Sequence, residues 1–148
     1  MRKANIILIV LMLFIVVGCS NKEVIKHNYT YKGENELWTA EYKVNGTGTF
    51  TKKDDKKYYQ SNSSSTLTIS YKKDLSELSQ VKHMEISYES SAGASKLNLN
   101  FDDNPPNEKK YILKSSSVGG AIENKDEIIN VKISLDGNTQ AIELKSVK

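Results

Sequence analysis

Several stretches of this chain alternate apolar and polar residues with a period of two, and that pattern commits them to strands. Trp38, Ala40, Tyr42 and Val44 are interleaved with Thr39, Glu41 and Lys43. Leu67, Ile69 and Tyr71 repeat the pattern, as do Met84, Ile86 and Tyr88, then Leu97, Leu99 and Phe101. Ile129, Val131, Ile133 and Leu135 follow, and Ile142 and Leu144 come last. In a strand, successive side chains point to opposite faces, so each segment buries one face and wets the other. Turn signals separate them. Asp136-Gly137-Asn138 predicts a tight hairpin, because Asp-Gly tolerates the positive φ that two-residue loops require. Asn45-Gly46 and Asp54-Asp55 predict two more turns, and Pro105-Pro106 ends pairing after Phe101, since proline cannot donate to a ladder. Ser61–Ser65, Ser90–Ser95 and Ser115–Gly120 read as loops. The one helical signal is a single turn over Asp74–Gln80, with Asp74 as its cap and carrying Leu75 and Leu78.

About seven to nine short strands without βαβ spacing predict an all-β, antiparallel, immunoglobulin-like β-sandwich, with a small barrel as the alternative. Outward lysines and asparagines would discourage edge-to-edge association of such sheets.

The first residues obey a different rule. Arg2 and Lys3 precede an apolar run, Ile6–Val17, that ends in Gly18 and Cys19. A charged start, a short apolar stretch and small residues before a processing point describe a secretory signal. The run is shorter than the ~20 residues that cross a bilayer as a helix. Val16-Val17-Gly18-Cys19 resembles the lipobox of bacterial lipoproteins. That resemblance implies cleavage after Gly18 and a thioether-linked lipid on Cys19. Residues 1–18 are then a signal peptide with an N-terminal signal or anchor helix, 19–26 the lipidated cysteine with a short tether, and 27–148 the β domain. The expected location is the extracytoplasmic face of the cell membrane, held by lipid. An ordinary signal peptide with an incidental cysteine, or an uncleaved anchor helix, is the competing reading. Two acyl chains hold firmly where one holds reversibly, because each buried CH₂ contributes about 0.8 kcal/mol.

Removing residues 1–18 leaves 130, enough for one domain. It also removes Arg2 and Lys3, so 19 basic side chains face 18 acidic ones. A near-neutral chain lacks the electrostatic footprint of a nucleic-acid binder. With Cys19, the only cysteine, committed to lipid, no thiol remains for a disulfide, a nucleophile or a sulfur metal site.

Gly33-Glu34-Asn35-Glu36-Leu37-Trp38, followed by Thr39-Ala40-Glu41-Tyr42, resembles the Gly-Glu-Ser-x-x-Trp segment of small Bacillus-type lipoproteins of unknown function, with Asn35 in place of serine. The resemblance implies an immunoglobulin-like fold and supplies no catalytic residues.

Candidate chemistry is sparse. His27 and His83 are the only histidines, they stand far apart, and both are expected to be solvated. A hydrolytic zinc site needs three protein ligands and an open position, and no metal ligand set is expected. No Gly-x-Ser-x-Gly elbow is present, so no catalytic serine is assigned. Asp102, Asp103 and Glu108 could supply oxygen ligands to Ca²⁺ but read better as a solvated turn around Pro105-Pro106. The densest surface signal is Lys52, Lys53, Lys56, Lys57, Tyr58 and Tyr59 around Asp54-Asp55. Clustered lysines attract anions and aromatic rings add contact area, so these six are the candidate surface-binding residues for a wall polymer or anionic headgroups. A solvated hairpin tip with one tyrosine in the core is the better reading of the same residues.

The expectation is therefore a non-enzymatic binding or scaffolding module at the cell envelope, without cofactor, with the membrane as one partner and an envelope protein or wall polymer as another. The competing classes are an envelope hydrolase built on carboxylates such as Glu34, Glu36 and Glu41, and an immunity or inhibitor lipoprotein.

Overall fold

The computed structural model describes residues 22–147. The expected signal or anchor helix, the lipobox Val16–Gly18 and Cys19 lie outside the described residues.

Eight antiparallel strands make up the fold: β1 (Lys22–Glu34), β2 (Trp38–Lys53), β3 (Lys56–Tyr71), β4 (His83–Ser90), β5 (Gly93–Asn100), β6 (Lys110–Val118), β7 (Ile129–Leu135) and β8 (Asn138–Ser146). They run in one hydrogen-bonded order, β5-β4-β7-β8-β1-β2-β3-β6. The order falls into two four-stranded halves joined by a short ladder between β1 and β8, Tyr31 opposite Ser146 and Lys32 opposite Lys145. The outer strands of the order, β5 and β6, come back together across a seam lined by Leu97, Leu99 and Phe101 on one side and Tyr111 and Ile112 on the other. The result is one nearly closed sheet. The strand number and the antiparallel class agree with the sequence, and the hydrogen-bonded order runs continuously through both halves.

The alternating residues fill the interior as their period requires. Trp38, Tyr42, Leu67, Ile69, Met84, Ile86, Ile129, Ile133 and Leu144 are buried between the halves. Aromatic rings tie the layers: Trp38 lies 4.8 Å from Tyr71 within one half, and Tyr42 lies 4.8 Å from Tyr88 across the core. All eight tyrosines are in strands. The Asp136-Gly137 hairpin forms with φ of 48° and 87°, and the Asp54-Asp55 turn with φ of 50° and 60°. Leu75–Leu78 makes a single 3-10 turn in which the Asp74 carboxylate accepts from the Ser76 N–H at 2.9 Å and Leu78 is buried. Among the described residues no helix is long and apolar enough to cross a membrane.

Other expectations change. Asn45-Gly46 is not a turn but the interior of β2; a Cβ at Gly46 would stand 3.0 Å from Ile122, so the glycine admits a packed side chain. The serine runs are largely strand. Ser61–Ser65 continues β3, and Ser115–Val118 continues β6, with Ser63 opposite Ser117 and Ser65 opposite Ser115. Strand phase carries Ser61, Ser63 and Ser65 inward after Leu67 and Ile69, so one end of the interior is apolar and the other hydroxylated. Residues 22–26, expected as tether, belong to β1 and pair with Thr47–Thr51.

β2 and β3 are each 16 residues long and extend well past the body. β6 pairs with β3 only from Asn62 onward, and β8 pairs with β1 only at Tyr31 and Lys32. The first part of β1, the end of β2 and the start of β3 therefore form a three-stranded ribbon with no further sheet partner. At ~3.3 Å per residue it projects roughly 20 Å.

Candidate functional site

The ribbon end gathers all six sequence-predicted surface residues. Lys53 pairs with Lys56 beside the turn, Lys52 with Lys57, Thr51 with Tyr58, and Phe50 with Tyr59. Two directly opposed lysine pairs break the rule that like charges across a ladder repel. Only Lys52 has an ion-pair partner, Asp55 at 2.9 Å. The expectation that one tyrosine is in the core fails: Tyr58 is 51% exposed and Tyr59 45%. Tyr59 stacks at 4.8 Å from Phe50 and covers Gly48, whose missing side chain leaves room for the ring. Here the chain is too far from the body for a core to exist.

The ribbon end also contains the start of the described chain. Lys22 is opposite Thr51, three residues from Asp54. Val24 and Ile25 of β1 are exposed beside the lysines.

A second site, which sequence reasoning missed, lies at the hydroxylated end of the interior. The segment 119–128 folds over that end: the Gly119 N–H donates to the Ser61 carbonyl at 2.8 Å, the Ser61 hydroxyl to the Gly120 carbonyl at 2.6 Å, and the Tyr31 hydroxyl to the Asn124 carbonyl at 2.6 Å. Glu127 holds the segment from outside, accepting from the backbone and hydroxyl of Ser91 and from the Asn124 N–H. This fold inserts Glu123, only 4% exposed, into the interior. Its Oε1 accepts from the Tyr42 hydroxyl at 2.6 Å and from the Ser90 hydroxyl at 3.0 Å. Burial, and after it the bond to the Glu123 carboxylate, holds the Tyr42 hydroxyl well above its ordinary pKa. Tyr31 is shifted the same way by burial and then by the charges of Glu127 and Glu123. The adjoining chamber, lined by Ser63, Ser65, Ser115, Ser117 and Tyr88, is about 50 Å³. It has room for one or two waters. The signal in the sequence was indirect: inward-phased serines on β3 imply a polar interior end, but nothing marks Glu123 as the group that fills it.

Of the carboxylates named from sequence, Glu34 and Glu41 line one open groove of about 510 Å³ on the outer face of β1 and β2, with Lys32 and Lys110, and Glu36 is not part of that lining. Glu41 is ion-paired to Lys43 at 2.7 Å and Lys32 at 3.1 Å, and those hydrogen-bonded ammonium groups hold its carboxyl below the ordinary range. Glu34 pairs with Lys72 at 3.1 Å, and Glu36 is exposed. His83 faces solvent with Nδ1 2.7 Å from Asn100 Oδ1, as expected, whereas His27 is half-buried with Nδ1 3.2 Å from the Tyr29 hydroxyl. Asp102, Asp103 and Glu108 are exposed. No group of three metal-ligating side chains comes together among the described residues.

The Gly33–Trp38 segment is the β1–β2 connection, and its residues serve the fold. The Asn35 side-chain carbonyl accepts from the Leu37 and Trp38 N–H groups at 2.9 and 2.8 Å, an arrangement open to a serine hydroxyl as well. A Cβ on Gly33 would collide with the Glu143 carbonyl oxygen of β8, so the glycine permits the two halves to meet. Comparison with protein-family models, with curated proteins and with solved structures found no match.

Proposed function

We propose that this chain is a bacterial lipoprotein, anchored through Cys19 at the extracytoplasmic face of the membrane, and that it acts there as a non-enzymatic binding or scaffolding module. The observation that carries this reading is the position of β1: the first described strand begins beside the lysine-bearing end of the ribbon, so attachment through Cys19 presents that end to the membrane. Cys19 is three residues before Lys22 and within about 11 Å of it along the chain. The resemblance to the small Bacillus-type lipoproteins belongs to the same proposal, with the two facing halves as an immunoglobulin-like sandwich whose edges meet at the β1–β8 ladder. The Glu123 chamber is too small for a polymer or lipid substrate, and in the larger groove Glu34 and Glu41 are each paired with lysine, with Glu41 held below the ordinary carboxyl range, which favours binding by the ribbon over hydrolysis.

Crosslinking pull-down from native membranes, with Cys19→Ala as control, tests the reading. Recovery of one envelope protein or wall polymer that depends on Cys19 supports it. Equal recovery by the Cys19→Ala protein from the soluble fraction counts against an anchored module.

A further inference from the structure

The six lysines and tyrosines of the hairpin do not share a face. Strand phase directs Phe50, Lys52, Lys57 and Tyr59 to the side that continues the core, where Glu23 and Ile25 of β1 also point. The opposite face has a different composition. It carries Lys22, Val24 and Lys26 from β1, Lys53 from β2, and Lys56 and Tyr58 from β3, separated by Thr47, Thr49, Thr51 and Gln60. The strand residues of this face from Lys22 to Asn28, Thr47 to Lys53 and Lys56 to Asn62 include no carboxylate. Its patch is roughly 10 Å wide, two inter-strand spacings, and roughly 20 Å long.

We propose that this one face of the ribbon, rather than the hairpin tip as a whole, docks on an anionic lipid bilayer, with Tyr58 and Val24 seated among the headgroups. The proposal rests on the anchored reading above and specifies the surface that meets the membrane. Charge complementarity supports it: four lysines of one sign, with the opposed pair Lys53–Lys56 left without a carboxylate partner, are relieved of their repulsion by phosphates. The aromatic contribution fits too, since tyrosine places an apolar ring and a polar hydroxyl at the headgroup level. Val24 at 50% and Tyr58 at 51% exposure stand clear of the strands around them. Each lysine at an anionic surface shifts the docked-to-undocked ratio about five-fold. Reversing two of them therefore lowers that ratio at least ~25-fold.

The test uses the full lipidated protein in vesicles that contain brominated lipid, either mixed phosphatidylglycerol–phosphatidylcholine or phosphatidylcholine alone. Trp38 is buried and gives a constant background, so Tyr58→Trp and Tyr59→Trp report the two faces separately. The docked face predicts strong quenching of Tyr58→Trp in the anionic vesicles, weak quenching in the neutral ones, and loss of quenching at about 1 M salt, where screening acts within ~3 Å. Tyr59→Trp remains unquenched. Adding Lys53→Glu and Lys56→Glu to the Tyr58→Trp protein abolishes its quenching, whereas Lys52→Glu with Lys57→Glu preserves it. Equal quenching at both positions, or equal loss with either lysine pair, overturns the face assignment. Flotation with the vesicles but no quenching at Tyr58→Trp also overturns it and leaves the anchor standing, with a soluble anionic polymer as the occupant to test by the same tryptophan. Failure to float refutes the anchored reading and the docking together.

Discussion

Removing one hydroxyl should expose how strongly the inserted Glu123 fastens the polar end of the barrel. Tyr42→Phe deletes the donor that lies 2.6 Å from Glu123 Oε1 but keeps the ring that packs 4.8 Å from Tyr88 and 6.1 Å from Tyr31. No cavity results, and the change isolates the hydrogen bond. Glu123 keeps the Ser90 hydroxyl at 3.0 Å, so the carboxylate is weakened rather than orphaned. A buried bond to a charged group contributes about 1.5–3 kcal/mol. For a domain of this size that is a fall in Tm of roughly 5–15 °C. Tyr88→Phe provides the milder comparison, because its hydroxyl lies 3.3 Å from Ser65 Oγ and adjoins the Tyr42 hydroxyl but does not bond Glu123, and its loss should stay under about 1 kcal/mol. Urea unfolding followed by Trp38 fluorescence measures both. A Tyr42→Phe protein within ~0.5 kcal/mol of the parent, or no less stable than Tyr88→Phe, would refute the role given to the Tyr42–Glu123 pair.

High pH should destabilise the fold through Tyr42 and Tyr31. Their folded pKa values are raised, so their contribution is intact below the unfolded value near 10 and is lost as pH rises above it, by about 1.4 kcal/mol per pH unit for each tyrosine held neutral. Urea midpoints that stay level from pH 9 to 11 contradict this (the interval is about one unit either side of the ordinary tyrosine pKa). Gly33→Ala drives a methyl group into β8 and should cost about 1–3 kcal/mol, with hydrogen exchange accelerated first at Ser146 and Lys145; a neutral effect means the β1–β8 ladder is looser than described. Asn35→Ser should nearly preserve stability whereas Asn35→Ala loses about 1 kcal/mol, since only the first retains an acceptor for the Leu37 and Trp38 N–H groups; equal melting of the two variants removes the turn-capping role.

The strands that alternate large apolar with polar residues were legible, because burial of one face imposes the period directly. So were the two tight hairpins, whose positive φ values demand Asp-Gly or Asp-Asp chemistry. The serine segments misled for a physical reason: Ser61, Ser63 and Ser65 point inward, yet the interior they face is a hydroxylated chamber closed by Glu123, so their burial needs no apolar side chain. β1 was hidden in the same way. Its ribbon portion has no core to face, and Lys22–Asn28 is held by ladder bonds to β2 rather than by a buried stripe. The lysine cluster was visible as composition, but its division into two faces depended on the register across three strands, which no single segment encodes. Glu123 was not visible at all, because a carboxylate in an irregular segment shows no period.

The intact mass of the protein recovered from native membranes decides whether the module is membrane-anchored. The expected chain begins at Cys19 and carries a diacylglyceryl group on that residue. A chain that retains residues 1–18, or one processed near Gly18 with no added lipid, contradicts it.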